Sequence, residues 1–398
     1  MNGLKIKDKL KDKRILIWGY GLEGKTSEEF IKNYCDAKVL EIFEGKYSEI
    51  DENQYDYIIK SPGIPYLEKN PKMISQTSLF LEEFKNQVIG VTGTKGKSTT
   101  SSLLYHVLKE AGKDTILVGN IGLPPLARYE DISKDTIIVF EMSAHQLSML
   151  EISPHISIYL NLYEDHLDYY KIVEEYHKAK SNIALHQNVG DYFFVGENVP
   201  DIDTKATKFI MPFDSGSDLD IKSLDGNHNK YNSSIVAKIA TNIYNLKLEN
   251  VIELINTFKG LPHRMQRVHE ENGVVFYDDS ISTICQSAIL AARSIENTGT
   301  VLIGGMDRGI DYSSLIDFIV KNNDIIFICM YESGKRVYDQ VKESNNCYYC
   351  ENLKEAVTLA KELTPKGKAC ILSPAAASYG YFKNFEERGK VFTALVKQ

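Results

Sequence analysis

Val88-Ile-Gly-Val-Thr-Gly-Thr-Lys-Gly-Lys-Ser-Thr-Thr100 reads as a buried strand, a glycine loop and the start of a helix. Glycines at 90, 93 and 96 let the backbone aim its N–H groups at an anion. Lys97 adds a point charge for the outer phosphates, and Ser98 adds a hydroxyl for a magnesium ion. The run from Ser101 to Gly112 carries apolar residues at helical spacing and a glycine stop, which gives the loop its following helix. The general phosphate-loop pattern G-x-x-x-x-G-K-[ST] needs glycine at 91, where this chain has Val91 with Gly90 one residue early. The stretch is therefore a variant phosphate loop.

Around it lie 398 residues, more than one hydrophobic core ordinarily holds, so two or three domains are expected. Hydrophobic residues at 43% and charged residues at 25% suit a soluble globular protein. No apolar run nears the roughly 20 residues of a membrane span. The basic start leads into Ile15-Leu-Ile-Trp18, too short for a secretory segment, so a cytoplasmic location with no membrane partner is expected. A net charge of −8 argues against a general nucleic-acid binder. Of the six cysteines only Cys347-Tyr-Tyr-Cys350 has metal or redox spacing, and without a second pair it reads as reduced thiols.

Toward the N-terminus, Arg14 to Gly24 is a short buried strand followed by G-x-G-x-x-G, and Lys25 to Asn33 continues with helical spacing. Glu41 or Glu44 follows a second strand at the distance of a ribose-binding carboxylate. The region to residue 84 is too short for a full dinucleotide fold, so a half-sized unit holding a nucleotide diphosphate fits. Ser61-Pro-Gly63 then ends a strand as a tight turn, structural or ligand-binding. Toward the C-terminus, three clusters each follow a strand: Gly119-Asn-Ile-Gly122, then Glu141-Met-Ser-Ala-His-Gln146, then Asn161 to Asp168 with Asp165 and His166. Carboxylate and imidazole groups at successive strand ends beside a phosphate loop point to a magnesium and phosphate site.

The variant loop, then G-N-I-G, then E-x-S-x-x-Q, then N-x-x-x-D-H-x-D resemble the Mur ligase family in order and spacing. That family joins amino acids to a nucleotide-linked peptidoglycan precursor. The resemblance implies an α/β chain of three domains: a Rossmann-like N-terminal unit over 1–84, a central P-loop ATPase with a mostly parallel sheet over 85–262, and a Rossmann-like C-terminal domain over 263–398. It implies ATP contacts at Gly93, Thr94, Lys95, Gly96, Lys97, Ser98 and Thr99, with Asn229, Asn232, Arg264 and Asp279 completing that site. Gly21, Leu22, Glu23, Ser61, Gly63, Asn120 and His166 are the implied contacts of the UDP-linked precursor. The Y-x-x-A-K segment ending at Lys180 resembles the one whose last lysine is carbamylated. By that resemblance two Mg2+ ions are held by Ser98, Glu141, His166 and carbamylated Lys180, and Lys97, Glu141, His166 and Lys180 carry the catalysis.

In the third domain, Gly304 to Tyr312 and Leu372 to Gly389 resemble the glutamate-adding branch, which implies amino-acid contacts at Thr283, Arg308, Ser378 and Phe385. Three departures fall nearby. Gln266 replaces an acid, Arg308 stands where lysine is common, and Asp279-Ser-Ile-Ser-Thr-Ile284 has isoleucines in place of a lysine and an asparagine. The implied reaction adds D-glutamate to UDP-N-acetylmuramoyl-L-alanine through an acyl phosphate, in a monomer. The alternatives are L-glutamate as the added acid, a folylpolyglutamate synthase-like ligase, a binding module without ligase activity, and another Mur ligase adding a diamino acid or alanine, which the Leu372 to Gly389 match disfavours. The Gly19 to Gly24 loop and Ser61-Pro-Gly63 argue against the second, and intact Lys97, Glu141, His166 and Lys180 against the third.

Overall fold

A computed structural model of the chain describes residues 4–65, 70–164, 167–224, 226–295 and 297–398. Three sheets follow one another along the sequence. The first holds β1 (Arg14–Trp18), β2 (Val39–Phe43), β3 (Tyr57–Lys60) and β4 (Met73–Ile74), in the order β2-β1-β3-β4 and all parallel. The second holds β5 (Val88–Thr92), β6 (Thr115–Gly119), β7 (Ile137–Glu141), β8 (Ile156–Tyr159), β9 (Tyr192–Gly196) and β10 (Thr207–Met211). Its order is β10-β9-β8-β5-β7-β6, again all parallel.

Strand β5 is buried along its whole length because helices cover both faces of a parallel sheet, which explains its unbroken apolar run. It lies between β7 and β8, so the loops leaving all three strands meet at one edge where the strand order reverses. The first two sheets share one hydrophobic core. Ile15, Ile17 and Phe30 belong to the same buried cluster as Val88, Ile138 and Phe140, with Leu79 and Phe80 among them. The helix Gln76–Phe84, started by a capping box between Ser75 and Ser78, brings those last two side chains in.

The third sheet holds β11 (Gln266–Glu271), β12 (Val274–Asp278), β13 (Thr298–Ile303), β14 (Ile326–Met330), β15 (Cys347–Cys350) and β16 (Ala369–Leu372), ordered β11-β12-β16-β13-β14-β15. Only β11 runs antiparallel, as a hairpin with β12. The chain divides into two compact units: Met1–Lys222 with Asn227–Phe258, and Lys259–Gln398 with Ser223–Gly226.

The α/β class and the parallel central sheet agree with the sequence reading. Element ends differ by a few residues: the helix read from Lys25 starts at Leu22, and the one read from Val251 starts at Leu248. The earlier start at Leu22 makes Gly24 a helical residue packed under the loop. A Cβ there would sit 2.2 Å from the Gly19 carbonyl oxygen, so only glycine allows the helix this close.

Candidate active site

The phosphate loop joins β5 to the helix Lys97–Glu110, and Gly96 at its N-cap has φ +85°, a left-handed conformation that glycine adopts readily. The Lys97 ammonium donates to the Gly93 carbonyl at 2.9 Å and the Thr94 carbonyl at 3.0 Å, folded back over its own loop. The loop is clamped from β8's end. Asn161 accepts from the Lys95 N–H at 2.9 Å, donates to the Lys95 carbonyl at 3.1 Å, and its carbonyl takes the Thr94 N–H at 3.0 Å. Asn232, on the helix Asn227–Asn242, is buried with its amide against Gly96, where a Cβ would meet it at 3.0 Å. Ser98 and Thr99 occupy the first turn of the loop's helix and are half-buried.

Glu141 ends β7 beside Val91 of β5, so its carboxylate lies at the same sheet edge. Its Oε1 accepts from Asn120 Nδ2 at 3.0 Å, while Oε2 is buried with no hydrogen-bond partner. A buried carboxylate oxygen without a donor is costly and suits a cation as its partner. Lys180, on the helix Val173–Ser181, is fully buried and donates to the Gly93 carbonyl at 2.8 Å and to Thr92 Oγ1 at 3.2 Å. Two lysine side chains thus donate to one carbonyl oxygen, that of Gly93. Asp165 and His166 lie outside the described residues. Among those described, no group of three or more His, Cys, Asp and Glu residues is placed to hold a metal.

At the N-terminal sheet, Gly21 caps the helix Leu22–Tyr34, and Gly21 and Leu22 are exposed, leaving that helix start open to an anion. Ser61 holds the loop, its hydroxyl donating to the Gly19 carbonyl at 2.8 Å and its N–H to the Trp18 carbonyl at 2.9 Å. Gly63 is exposed at the turn. Glu23 turns toward the central sheet and accepts from Gln146 Nε2 at 2.7 Å. Glu41 instead bonds the Tyr55 hydroxyl.

In the third sheet the loops after β12, β13 and β16 converge. The exposed Arg308 donates to the Thr283 carbonyl at 3.2 Å, which brings two expected amino-acid contacts together. Met306 pairs with Ala377, next to the buried Ser378, and the Phe385 carbonyl accepts from Ser280 Oγ at 2.8 Å. Asp279 is committed to its own loop: Ser282 Oγ at 2.5 Å, Ser373 Oγ at 2.8 Å and the Met265 N–H at 3.1 Å all donate to it. Burial pushes its carboxyl up to about 6 against those donors. Arg264 is exposed nearby, and Asn229 lies in the first turn of the helix Asn227–Asn242. Ile281 is half-buried and Ile284 exposed.

Three residues with structural roles here received none from the sequence. Asn161 and Gln146 stood inside quoted motifs, but their side-chain partners come from other loops. Arg388 is fully buried, with Nε to Ser280 Oγ at 2.9 Å, Nη2 to the Ser280 carbonyl at 2.8 Å and Nη1 to the Ala376 carbonyl at 3.1 Å. Burial lowers its guanidinium to about 10. It ties the β12 and β16 loops together. Gly389 beside it leaves room for the buried His263–Asp278 pair, since a Cβ would meet His263 Nδ1 at 2.1 Å. The six cysteines are free thiols, and among the described residues no helix is long and apolar enough to cross a membrane.

A variant phosphate loop on a parallel sheet, with a carboxylate and a buried lysine at the same edge, defines a P-loop α/β protein. The Mur ligase middle domain family matches residues 91–247. A UDP-N-acetylmuramoylalanine–D-glutamate ligase of Aquifex aeolicus is 32% identical over 96% of this chain and 98% of its own length. A Francisella philomiragia protein of the same name is 32% identical over 98% of each. Among solved structures, the MurF ligase of Thermotoga maritima in complex with ADP superposes with a TM-score of 0.61 at 14% identity, covering 98% of this chain and 96% of that one. The chain belongs to the Mur ligase family.

Proposed function

We propose that this chain is an ATP-dependent ligase that joins D-glutamate to UDP-N-acetylmuramoyl-L-alanine, releasing ADP and phosphate, in peptidoglycan precursor synthesis. The observation that carries the reading is the β5 edge, where Lys97 and Lys180 share the Gly93 carbonyl and Glu141 keeps a buried oxygen without a donor. The substrates come from the relatives' names. The sheets correspond to working domains of 1–84, 85–262 and 263–398 in a cytoplasmic monomer.

The precursor's carboxylate is a poor electrophile until ATP's terminal phosphoryl group is transferred to it as an acyl phosphate. The glutamate amine then attacks that carbonyl, and the tetrahedral adduct expels phosphate. The chain's part is to bind, orient and offset charge. Lys97 leaves its two loop carbonyls for the outer phosphates of ATP, which the loop N–H groups and the start of the helix Lys97–Glu110 receive. Asn229 and Asn232 face the adenine. Asn161 holds the loop's shape throughout. Gly21, Leu22, Ser61, Gly63, Asn120 and His166 orient the precursor, and Thr283, Arg308, Ser378 and Phe385 hold the glutamate carboxylates. Arginine at 308 grips a carboxylate with two donors.

Two Mg2+ ions, held by Ser98, Glu141, His166 and a carbamylated Lys180, would neutralise phosphate charge during transfer. For the carbamate, the neutral Lys180 amine forms a C–N bond to carbon dioxide and a proton leaves to solvent. Lys180→Ala should therefore be nearly inactive and regain activity with short carboxylic acids, and a fully active variant would sink the carbamate assignment.

The test of the function is phosphate release from ATP with the precursor, supplying D-glutamate and L-glutamate in separate reactions. Release with D-glutamate alone is expected. Release with L-glutamate alone would mean that the loop with Ile281 and Ile284 has changed the handedness accepted. Silence with both would overturn the reading.

A further inference from the structure

A helix start that receives a diphosphate has little use for a carboxylate in its first turn, yet Glu23 stands there. Its position resolves the conflict. Glu23 keeps part of its surface exposed, but Oε2 is buried without a hydrogen-bond partner and Oε1 accepts from Gln146 Nε2 at 2.7 Å. The carboxylate therefore points at the second sheet. The Glu23 main chain is equally fixed, its carbonyl accepting from the buried Gln76 Nε2 at 2.9 Å.

Gln146 has both ends of its amide engaged. Its Oε1 accepts from the Ser143 N–H at 2.8 Å, and the Ser143 hydroxyl accepts from the Gln146 N–H at 3.2 Å, a reciprocal cap on the short helix Ala144–Leu147. Ser143 is two residues beyond Glu141. One buried side chain thus links the loop of the first sheet to the backbone just beyond Glu141 at the strand end of the second. A second tie runs parallel to it, from the Tyr169 hydroxyl to the Ile64 carbonyl at 3.3 Å, beside the Ser61 turn. The counter-charge lies close by. Lys60, buried at the end of β3, acts on Glu23 electrostatically and donates at 3.3 Å to the Ser61 carbonyl. Burial raises the Glu23 carboxyl and lowers the Lys60 ammonium to about 8, so neither is a freely solvated charge.

We propose that Glu23 is a positioning residue which, through Gln146 and the Ser143 cap, registers the precursor loop of the first sheet against the strand end carrying Glu141, without itself touching the precursor. This rests on the reading above that the Gly21 loop receives the precursor and that Glu141 serves phosphoryl transfer.

The test compares wild type with Glu23→Ala, Gln146→Leu and Glu23→Gln. In phosphate release with the precursor and D-glutamate, Glu23→Ala and Gln146→Leu should lower kcat about tenfold or more, with the precursor KM within about twofold. Glu23→Gln still offers an oxygen to Gln146 and should stay within about threefold of wild type. A Glu23→Ala variant that raises the precursor KM with kcat unchanged makes Glu23 a contact and overturns the proposal.

A second readout does not depend on the precursor. The single tryptophan, Trp18, ends β1 beside the same loop, its carbonyl holding the Ser61 N–H. A non-hydrolysable ATP analogue with Mg2+ should change Trp18 emission in wild type and in Glu23→Gln. The amplitude should fall at least about threefold in Glu23→Ala and Gln146→Leu, although both still bind the analogue by equilibrium dialysis. No response in wild type, or an equal response in all four proteins, overturns the proposal. If phosphate release is silent in wild type, the assigned reaction fails, and the Trp18 arm still decides the role of Glu23.

Discussion

The β5 edge of the central sheet and the β12–β16 edge of the third sheet are both C-terminal edges of parallel strands, and both gather charged residues, but they treat charge in opposite ways. At the first, Glu141 keeps a buried oxygen without a hydrogen-bond partner, and Lys97 and Lys180 both donate to the Gly93 carbonyl, so charge gathers around the phosphate loop. At the second, Asp279 accepts three hydrogen bonds, Asp278 pairs with His263 at 2.7 Å, and Arg388 donates three times, so the buried charges fasten loops to one another. Arg308 at that edge is exposed and donates to the Thr283 carbonyl. The two edges thus differ in how far their buried charges are satisfied by the chain's own hydrogen-bond donors.

The sharpest way to break that contrast is Lys97→Ala. Loss of a charge aimed at transferring phosphate should lower kcat by about 10³-fold, near 4 kcal/mol, while leaving the thermal midpoint nearly unchanged. A variant that instead unfolds would make the β5 charges structural as well. Arg388→Met is the converse, expected to destabilise the C-terminal unit by about 3 kcal/mol in denaturant unfolding with ATP affinity unaltered. If stability were kept and only glutamate binding failed, Arg388 would belong with the ligand contacts.

Asp279 gives a pH signature to the fastened edge. Its folded carboxyl is raised to about 6, so its contribution to stability is full below the unfolded value of 3.8 and is lost as pH rises through about 6. Urea unfolding at pH 5 and pH 7 should therefore differ by on the order of 1 kcal/mol more in wild type than in Asp279→Asn. Equal differences in the two proteins would remove Asp279 from the account. The smallest expected effect is Arg308→Lys, which gives up one of two donors and should raise the glutamate KM about fivefold, near 1 kcal/mol, with kcat little changed. A collapse of kcat would place Arg308 in the chemistry rather than in binding.

Local sequence was enough for the phosphate loop, the G-x-G-x-x-G turn, the parallel strands and the α/β class. Each is written in a short window, as glycines where the backbone must approach or turn, unbroken apolar runs where a strand is covered on both faces, and a Lys-Ser pair at a helix start. It also put Glu141 at a strand end, while the neighbourhood of Arg308 and Thr283 came from the family resemblance. What no window contains is which side chains from distant segments meet. The Asn161 clamp on Lys95 spans 66 residues, Glu23 and Gln146 stand 123 apart, and Arg388 reaches Ser280 across 108. Those pairings, the sharing of Gly93 by two lysines, and the partner that Glu141 Oε2 lacks were decided by packing alone, because a buried polar group takes its meaning from whatever the fold brings within hydrogen-bond reach.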